Sequence, residues 1–419
     1  MIDPQWLNWA VLAVFGVVYL GMVMGSLPWL HLDRTGVALL GAIAVIGLGA
    51  MTPEQAAQSV HLPTILLLFA FMVISAQMRL GGFYGAVTRR IAALPLSAPA
   101  LMGVVIAVTA ALSAVFSNDI VCLAVAPVLA EACLRRQLDP VPYLLALACA
   151  SNIGSAATLI GNPQNMLIGE VLKLSFGDYL RLALPPVLAG LLVLWALLGW
   201  SVRGGRADAR EAATPSADKP APAGEPDQPF DLWQTAKGLA VALVLMGVFL
   251  FTDWPRDVAA LTGAGLLLLS QRFHSSRVMG LIDWELLVLF MGLFVVNAAL
   301  QHTGLTQQAV QWLASQGVAL GNAAHLFGAT LLLSNLVSNV PAVMLLLPVA
   351  SGAHHGATLA LASTLAGNLL IVGSIANLIV VDAARRAGID IDWRRHARIG
   401  VPVTLLSLAI AVGWLALRA

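Results

Sequence analysis

Apolar residues run in long blocks along nearly the whole chain, with short polar clusters between them. Helices that cross a bilayer need about 17 or more such residues in a row. The blocks predict spans near Trp6–Gly25, Thr35–Ala50, Leu62–Leu80, Val141–Val171 and Tyr179–Val202. A second set falls near Lys237–Thr252, Val258–Gln271, Trp284–Gln301, Ala357–Val381 and Ile399–Leu417. Two more blocks, Ala98–Arg135 and Gln311–Ser351, are long enough to enter the membrane and leave it, and each carries a Ser-Asn pair near its middle. Both read as re-entrant hairpins. The weak alternation over segments of about ten residues that marks a membrane β-barrel is absent.

One stretch interrupts this pattern. Ser201 to Asp231 is rich in Ala, Pro, Gly and charge and lacks apolar periodicity, as a flexible linker does. It divides the chain into a first repeat (residues 1–202), a linker (203–233) and a second repeat (234–419). The halves resemble each other. "SNDIVCLAVAP" from Ser117 and "SNVPAVMLLLP" from Ser338 both run from Ser-Asn to Pro, 221 positions apart. "SNIGSAATLIGNPQN" from Ser151 matches "STLAGNLLIVGSIAN" from Ser363, 212 positions on, with Ser, Gly and Asn coinciding. Internal repeats in a polytopic membrane chain mark many secondary transporters.

Composition agrees: of 419 residues, 59 % are hydrophobic and 10 % charged, and mean hydropathy is +0.87. Soluble chains carry about 25 % charge. The net charge of +1 gives no reason to expect a nucleic-acid partner. The distribution of Lys and Arg orients the spans. With the two hairpins re-entrant, nearly all basic residues, including Arg34, Arg79, Arg135, Arg136 and Arg385, collect on one side. Lys173, Arg181, Arg256 and Arg418 remain on the other. The crowded side is then cytoplasmic, with the linker on it and both termini periplasmic, as in a bacterial inner-membrane protein. The start of the chain lacks the basic n-region of a cleavable signal, so its first helix is expected to be retained. Five spans plus a hairpin per repeat is an odd count, which turns the second repeat upside down. The expected fold is an all-α polytopic membrane protein of two inverted repeats with helices broken at the midplane.

Candidate chemistry sits at the interruptions. The hairpin tips are Ser117-Asn118-Asp119 and Ser334 to Asn339, which includes Ser338 and Asn339. The long helices carry "GNPQN" (Gly161, Asn162, Asn165) and "GSIAN" (Gly373, Ser374, Asn377), with Thr158 and Asn368 beside them. Gly, Asn and Pro break helices, and unwound backbone at membrane depth survives only where it is buried in protein or lines a cavity. Four breaks should therefore meet at one polar pocket, their helix ends offering free N–H groups and positive dipole ends to an oxygen-rich solute. The same residue types also cap helices or glue them together, so Ser117, Asn118 and Asn339 could simply be caps. Asp119 fits that explanation least, because a buried charge is costly and Ser or Asn would cap as well. Its counterpart in the second half is Val340, so the protonatable group is not duplicated, which points to a proton site at Asp119, loaded and released through a buried carboxylate whose pKa desolvation raises. Glu131, Glu170, Asp178, Asp253 and Glu285 fall near membrane edges and read as interfacial. No Arg or Lys lies mid-membrane to clamp a dianion. Cys122, Cys133 and Cys149 have no metal or disulfide spacing, His354-His355 reads as a solvated loop pair, and no enzyme, cofactor or metal motif is present.

On these motifs, with "LVLFMGLFVVNAALQHTGL", the chain resembles the ion transporter superfamily, most of all its arsenite/antimonite efflux permease branch, which is related to divalent anion/sodium symporters. The resemblance covers nearly the whole chain. It implies a midplane site and elevator-type alternating access, and it brings a homodimer and an energising ATPase into view as partners. Sodium-coupled dicarboxylate relatives carry Ser-Asn-Thr at both tips, and Asp119 and Val340 depart from that. An Asn-Asp pair is more like the arsenite permeases, which implies proton-coupled export of As(OH)3 or Sb(OH)3. The alternative is a sodium-coupled importer of carboxylates or inorganic anions. H+ is thus the expected coupling ion and Na+ the alternative.

Overall fold

The computed structural model describes residues 4–27, 31–202, 229–269 and 272–418. Most of the expected linker, residues 203–228, lies outside these, and Leu232 and Trp233 at its end already open a helix. Among the described residues, the only strands are Ser26–Leu27 and Leu32–Asp33, paired antiparallel. The first half holds α1 (Pro4–Met24), α2 (Arg34–Gly47), α3 (Pro53–Ser59), α4 (Leu62–Leu80), α5 (Phe83–Ala92), α6 (Ala98–Val115), α7 (Asn118–Arg135), α8 (Pro140–Ser155), α9 (Pro163–Val171) and α10 (Phe176–Ser201). The second holds α11 (Leu232–Phe251), α12 (Arg256–Leu268), α13 (Ser275–Met279), α14 (Trp284–His302), α15 (Leu305–Ser315), α16 (Ala323–Val337), α17 (Asn339–Leu346), α18 (Gly352–Ala366), α19 (Ile375–Arg386) and α20 (Trp393–Ala416).

Among the described residues, seven helices (α1, α4, α6, α10, α11, α14 and α20) are long and apolar enough to cross a membrane. The chain is a multi-pass membrane protein. Each expected hairpin block folds as two helices that meet at its Ser-Asn tip, α6–α7 and α16–α17, and α6 is by itself long enough to span. The apolar-block reading missed α5 and α15, which are too short to span. Each follows the same device. Gly82 (φ 69°) and Gly304 (φ 74°) end a long helix in the left-handed region and start the short one. A side chain is strained there, so both turns call for glycine.

The two halves grip each other reciprocally. The second helix of each half packs on the fourth of the other, α2 on α14 and α12 on α4. The first helix of each also leans on the other's fourth, α1 on α14 and α11 on α4, while the last helices, α10 and α20, pack together.

Both expected broken helices exist, but their breaks lie slightly upstream of "GNPQN" and "GSIAN". α8 unwinds at residues 156–162 and α18 after Ala366, where a short 3₁₀ turn (Ile371–Gly373) precedes α19. Pro163, Gln164 and Asn165 form the first turn of α9, and Ala376 and Asn377 lie in that of α19. Proline is welcome at a first turn, where its missing N–H is not needed. Asn162 and Ser374 cap the two restarts through Asn165 N and Ala376 N. These motifs begin helices rather than end them.

Candidate functional site

The tips and the breaks meet. The Asn118 N–H donates to the carbonyl oxygen of Gly161 at 3.1 Å, docking the first tip on the first break. Thr158 Oγ1 donates to the Ala114 carbonyl at 2.5 Å and holds the other leg of the hairpin. At the second tip, Asn339 Nδ2 and Asn335 Oδ1 lie 3.2 and 3.4 Å from where side chains at Gly367 and Gly373 would begin. Ser338 there has φ 78° and ψ 162°, a conformation that costs a non-glycine residue about 1–3 kcal/mol and recurs at functional sites.

The two unwound loops are tied by one repeated device. Asn165 Nδ2 donates to the carbonyls ten and seven residues before it, Ser155 at 3.4 Å and Thr158 at 2.9 Å. Asn377 Nδ2 does the same at the same spacings, to Gly367 at 2.8 Å and Leu370 at 3.0 Å. Backbone groups freed by unwinding must find partners, and these amides supply them.

Asn377 also fixes its neighbours. With its NH2 spent on carbonyls, its Oδ1 must accept, which makes Asn152 Nδ2 a donor, to Asn377 at 3.2 Å and to Asn368 Oδ1 at 2.8 Å. Asn152 Oδ1 in turn accepts from Ser374 Oγ at 2.9 Å and Asn118 Nδ2 at 3.3 Å. Each amide orientation follows from the last, so the assignment is determined by the network. At its ends, Asn118 is left with a bare carbonyl oxygen and Asn368 with a bare NH2. Asn335 Oδ1 and Asn339 Oδ1 are likewise buried without a partner. Buried polar groups are nearly always satisfied, so four orphans at one junction mark a place for a ligand.

Asp119 lies one residue from Asn118, in the first turn of α7, half-buried. It forms no hydrogen bond or ion pair with a described residue. One turn on, Cys122 Sγ donates to Ser151 Oγ at 3.1 Å.

Capping does not explain the tips. Neither Ser117 nor Ser338 makes a side-chain cap, and Asn118 and Asn339 are already helical. Of the residues singled out in the sequence, Thr158, Asn162, Asn165, Ser374 and Asn377 are engaged in holding the breaks, and Gly161 and Gly373 line them. Asn118, Asp119, Asn339 and Asn368 keep unpartnered polar atoms, as does Asn165 at its Oδ1, and Ser117 and Ser338 are half-buried. Sequence reading gave no role to Asn152 or Thr364, and it placed Asn335 in the second tip without singling it out. Thr364 Oγ1 receives Asn162 Nδ2 at 3.3 Å and Gln164 Nε2 at 3.2 Å, joining the halves. The signal for Asn152 was a further Ser-Asn pair, at Ser151, inside an apolar run.

Two other expectations change. Glu170 is not at a wet interface: it is buried and paired with Arg256. His354 and His355 belong to the first turn of α18, with His354 Nε2 3.2 Å from the Leu415 carbonyl. Among the described residues no His, Cys, Asp and Glu cluster could hold a metal ion.

The first break tolerates no side chain at Gly161. A Cβ there would stand 2.7 Å from Ser155 Cα and 2.8 Å from its carbonyl carbon, and rigid backbone cannot yield. Gly161→Val is expected to abolish ligand binding and to reduce the yield of folded protein several-fold, read by gel filtration in detergent. Wild-type yield and binding would show that the break is not closely packed.

Comparison with known proteins follows this geometry. The chain is 31 % identical over 466 aligned positions to the silicon efflux transporter LSI3 of Oryza sativa subsp. japonica, covering 95 % of each. It is 29 % identical to the uncharacterized transporter MT2759 of Mycobacterium tuberculosis, over 93 % of this chain and 94 % of that one. The crystal structure of the Alcanivorax borkumensis YdaH transporter shares the fold, with a TM-score of 0.55 at 15 % identity over 99 % of this chain and 97 % of that one. The sequence model of the citrate transporter family, CitMHS, matches residues 10–366. A multi-pass chain built around interlocked broken helices, matched over most of its length, belongs to this family of membrane transporters.

Proposed function

We propose that this transporter exports a small neutral oxyacid of the arsenite type across the inner membrane, driven by protons exchanged at Asp119. The observation that carries the reading is the amide network, which leaves Asn118 presenting an acceptor beside an unpartnered carboxyl group. Orphaned carbonyl oxygens suit a solute that donates hydrogen bonds, as As(OH)3 and Sb(OH)3 do. Silicic acid, Si(OH)4, is of the same kind, and one relative is a silicon efflux transporter. An anion such as citrate needs donors or cations, and Asn368 Nδ2 is the one orphaned donor among the four.

In this reading Ser117, Asn118, Ser338, Asn339 and Asn368 contact the solute. Thr158, Gly161, Asn162, Asn165, Gly373, Ser374 and Asn377 hold the pocket in shape. The repeats are inverted, and the hairpins with the broken helices move as a unit against the remaining spans. A second reading, sodium-coupled import of carboxylates, draws on the name of the family and on the fact that carbonyl oxygens also coordinate Na+.

Flux in proteoliposomes decides between them. Arsenite, antimonite, sulfate, succinate and citrate are each offered with and without a pH gradient and sodium. Saturable arsenite or antimonite flux that follows the pH gradient is the expected result. Citrate or succinate flux with a strict sodium requirement would overturn the first reading in favour of the second.

A further inference from the structure

Arg256, the first residue of α12, spends its whole guanidinium on the end of α9. Nε donates to Glu170 Oε1 at 2.7 Å, Nη2 to the Gly169 carbonyl at 2.8 Å and Nη1 to the Leu174 carbonyl at 3.0 Å. The two side chains are 12 % and 5 % exposed. Breaking a buried pair by removing one partner is strongly unfavourable, because the other charge is left uncompensated. This pair fastens a spanning helix of one half to the half-helix beyond the break of the other.

The second half has the same parts at equivalent positions. The register that aligns the broken helices sets Asp382 opposite Glu170, 212 positions on. Arg34 opens α2 as Arg256 opens α12, and their register also pairs Ala38 with Ala260, Leu39 with Leu261, Gly41 with Gly263 and Ala42 with Ala264. α2 and α12 fill the same place in the reciprocal packing of the halves. This second pair, however, is open. Asp382 is turned to Arg386 on its own helix at 2.7 Å, with side chains 53 % and 77 % exposed. Arg34 makes no ion pair or hydrogen bond with a described residue, and its Nε is buried without a partner. A buried donor with nothing to donate to is costly.

We propose that Arg256–Glu170 and Arg34–Asp382 are alternative latches of the transport cycle, closed one at a time at opposite faces of the membrane. Here the first is shut and the second is open. In the opposite state Glu170 parts from Arg256, and Arg34 takes Asp382 together with the carbonyls of Val381 and Arg386, which stand where Gly169 and Leu174 stand in the first half. A matched pair of latches keeps either end state from becoming a trap, since a state is favoured only by its difference from the other. The proposal rests on the alternating-access reading above.

Paired cysteines test it in the full chain in liposomes, with the unsubstituted protein, whose three cysteines are buried, as the blank. Arg256→Cys with Glu170→Cys is expected to cross-link at rest. Arg34→Cys with Asp382→Cys is expected to cross-link only during turnover, and adding Glu170→Gln to that pair raises its resting yield about tenfold, as a shifted two-state population does. Asp382→Asn slows saturable flux, and the exchange Arg34→Asp with Asp382→Arg restores part of it. The proposal is overturned if the 34/382 pair never cross-links in a chain that still transports, if both pairs cross-link in one molecule at once, or if Asp382→Asn transports at the unsubstituted rate. Non-saturating flux through the unsubstituted chain is a different failure: it overturns the alternating-access reading, and the latches with it.

Discussion

With a pH gradient across the liposome, Asp119→Asn is expected to bind substrate and yet fail to move it uphill. Asn is close in shape to Asp and keeps an acceptor oxygen, so the pocket loses at most about one hydrogen bond, on the order of 1 kcal/mol. What it loses entirely is a site for the coupling proton. Asp119 is the candidate because it is half-buried, unpartnered and adjacent to the Asn118 oxygen, and because Val340 gives the second half no substitute. Gradient-driven flux should fall to the level of empty liposomes. Exchange of labelled for unlabelled substrate should persist, since exchange requires no net proton movement. Measuring both on one preparation separates coupling from folding. Undiminished uphill transport by the variant would remove Asp119 from the mechanism, and loss of exchange together with flux would assign it to substrate binding instead.

The second large effect is expected at Asn152. Its amide serves four partners: Asn118, Asn368, Ser374 and Asn377. Asn152→Leu leaves them buried and unsatisfied, and each such group costs about 1–3 kcal/mol. The variant should melt well below the unsubstituted protein in detergent and bind arsenite or antimonite more than about tenfold more weakly, which corresponds to about 1.4 kcal/mol. Asn152→Asp gives the finer test. A carboxylate accepts but does not donate, so Asn368 must turn its amide and offer a carbonyl to the pocket. Asn377 cannot turn, because its NH2 is held by Gly367 and Leu370. Binding should weaken further than melting does. Normal melting and normal binding in the leucine variant would mean that the amide network does not organise the site.

Much of the fold was legible because bilayer crossing imposes long apolar blocks with sharp edges. Leu62–Leu80 falls where the hydropathy places it, and the hairpins and broken helices were marked by Ser-Asn, Gly and Pro within apolar runs. The short helices α5 and α15 were not legible, because an amphipathic stretch of about three turns has no length signal. The restart points were misjudged because proline and asparagine serve the start of a helix as well as its interruption.

For the site, the chain alone determined which residue types would be found at depth and that only one hairpin tip carries an acid, Asp119 against Val340. It also held the equivalence of Glu170 with Asp382 and of Arg34 with Arg256, since repeats preserve spacing. Only the tertiary structure decided which polar atoms are spent and which are free. Asn377 and Asn118 are the same amino acid in similar surroundings, yet the first has its NH2 spent on Gly367 and Leu370 and its oxygen on Asn152, while the second keeps an oxygen bare. Hydrogen-bond direction passes from Asn377 through Asn152 to Asn118 across a separation of 225 positions and then 34. No local pattern records such a path, because it exists only once the two breaks and the hairpin tip lie side by side.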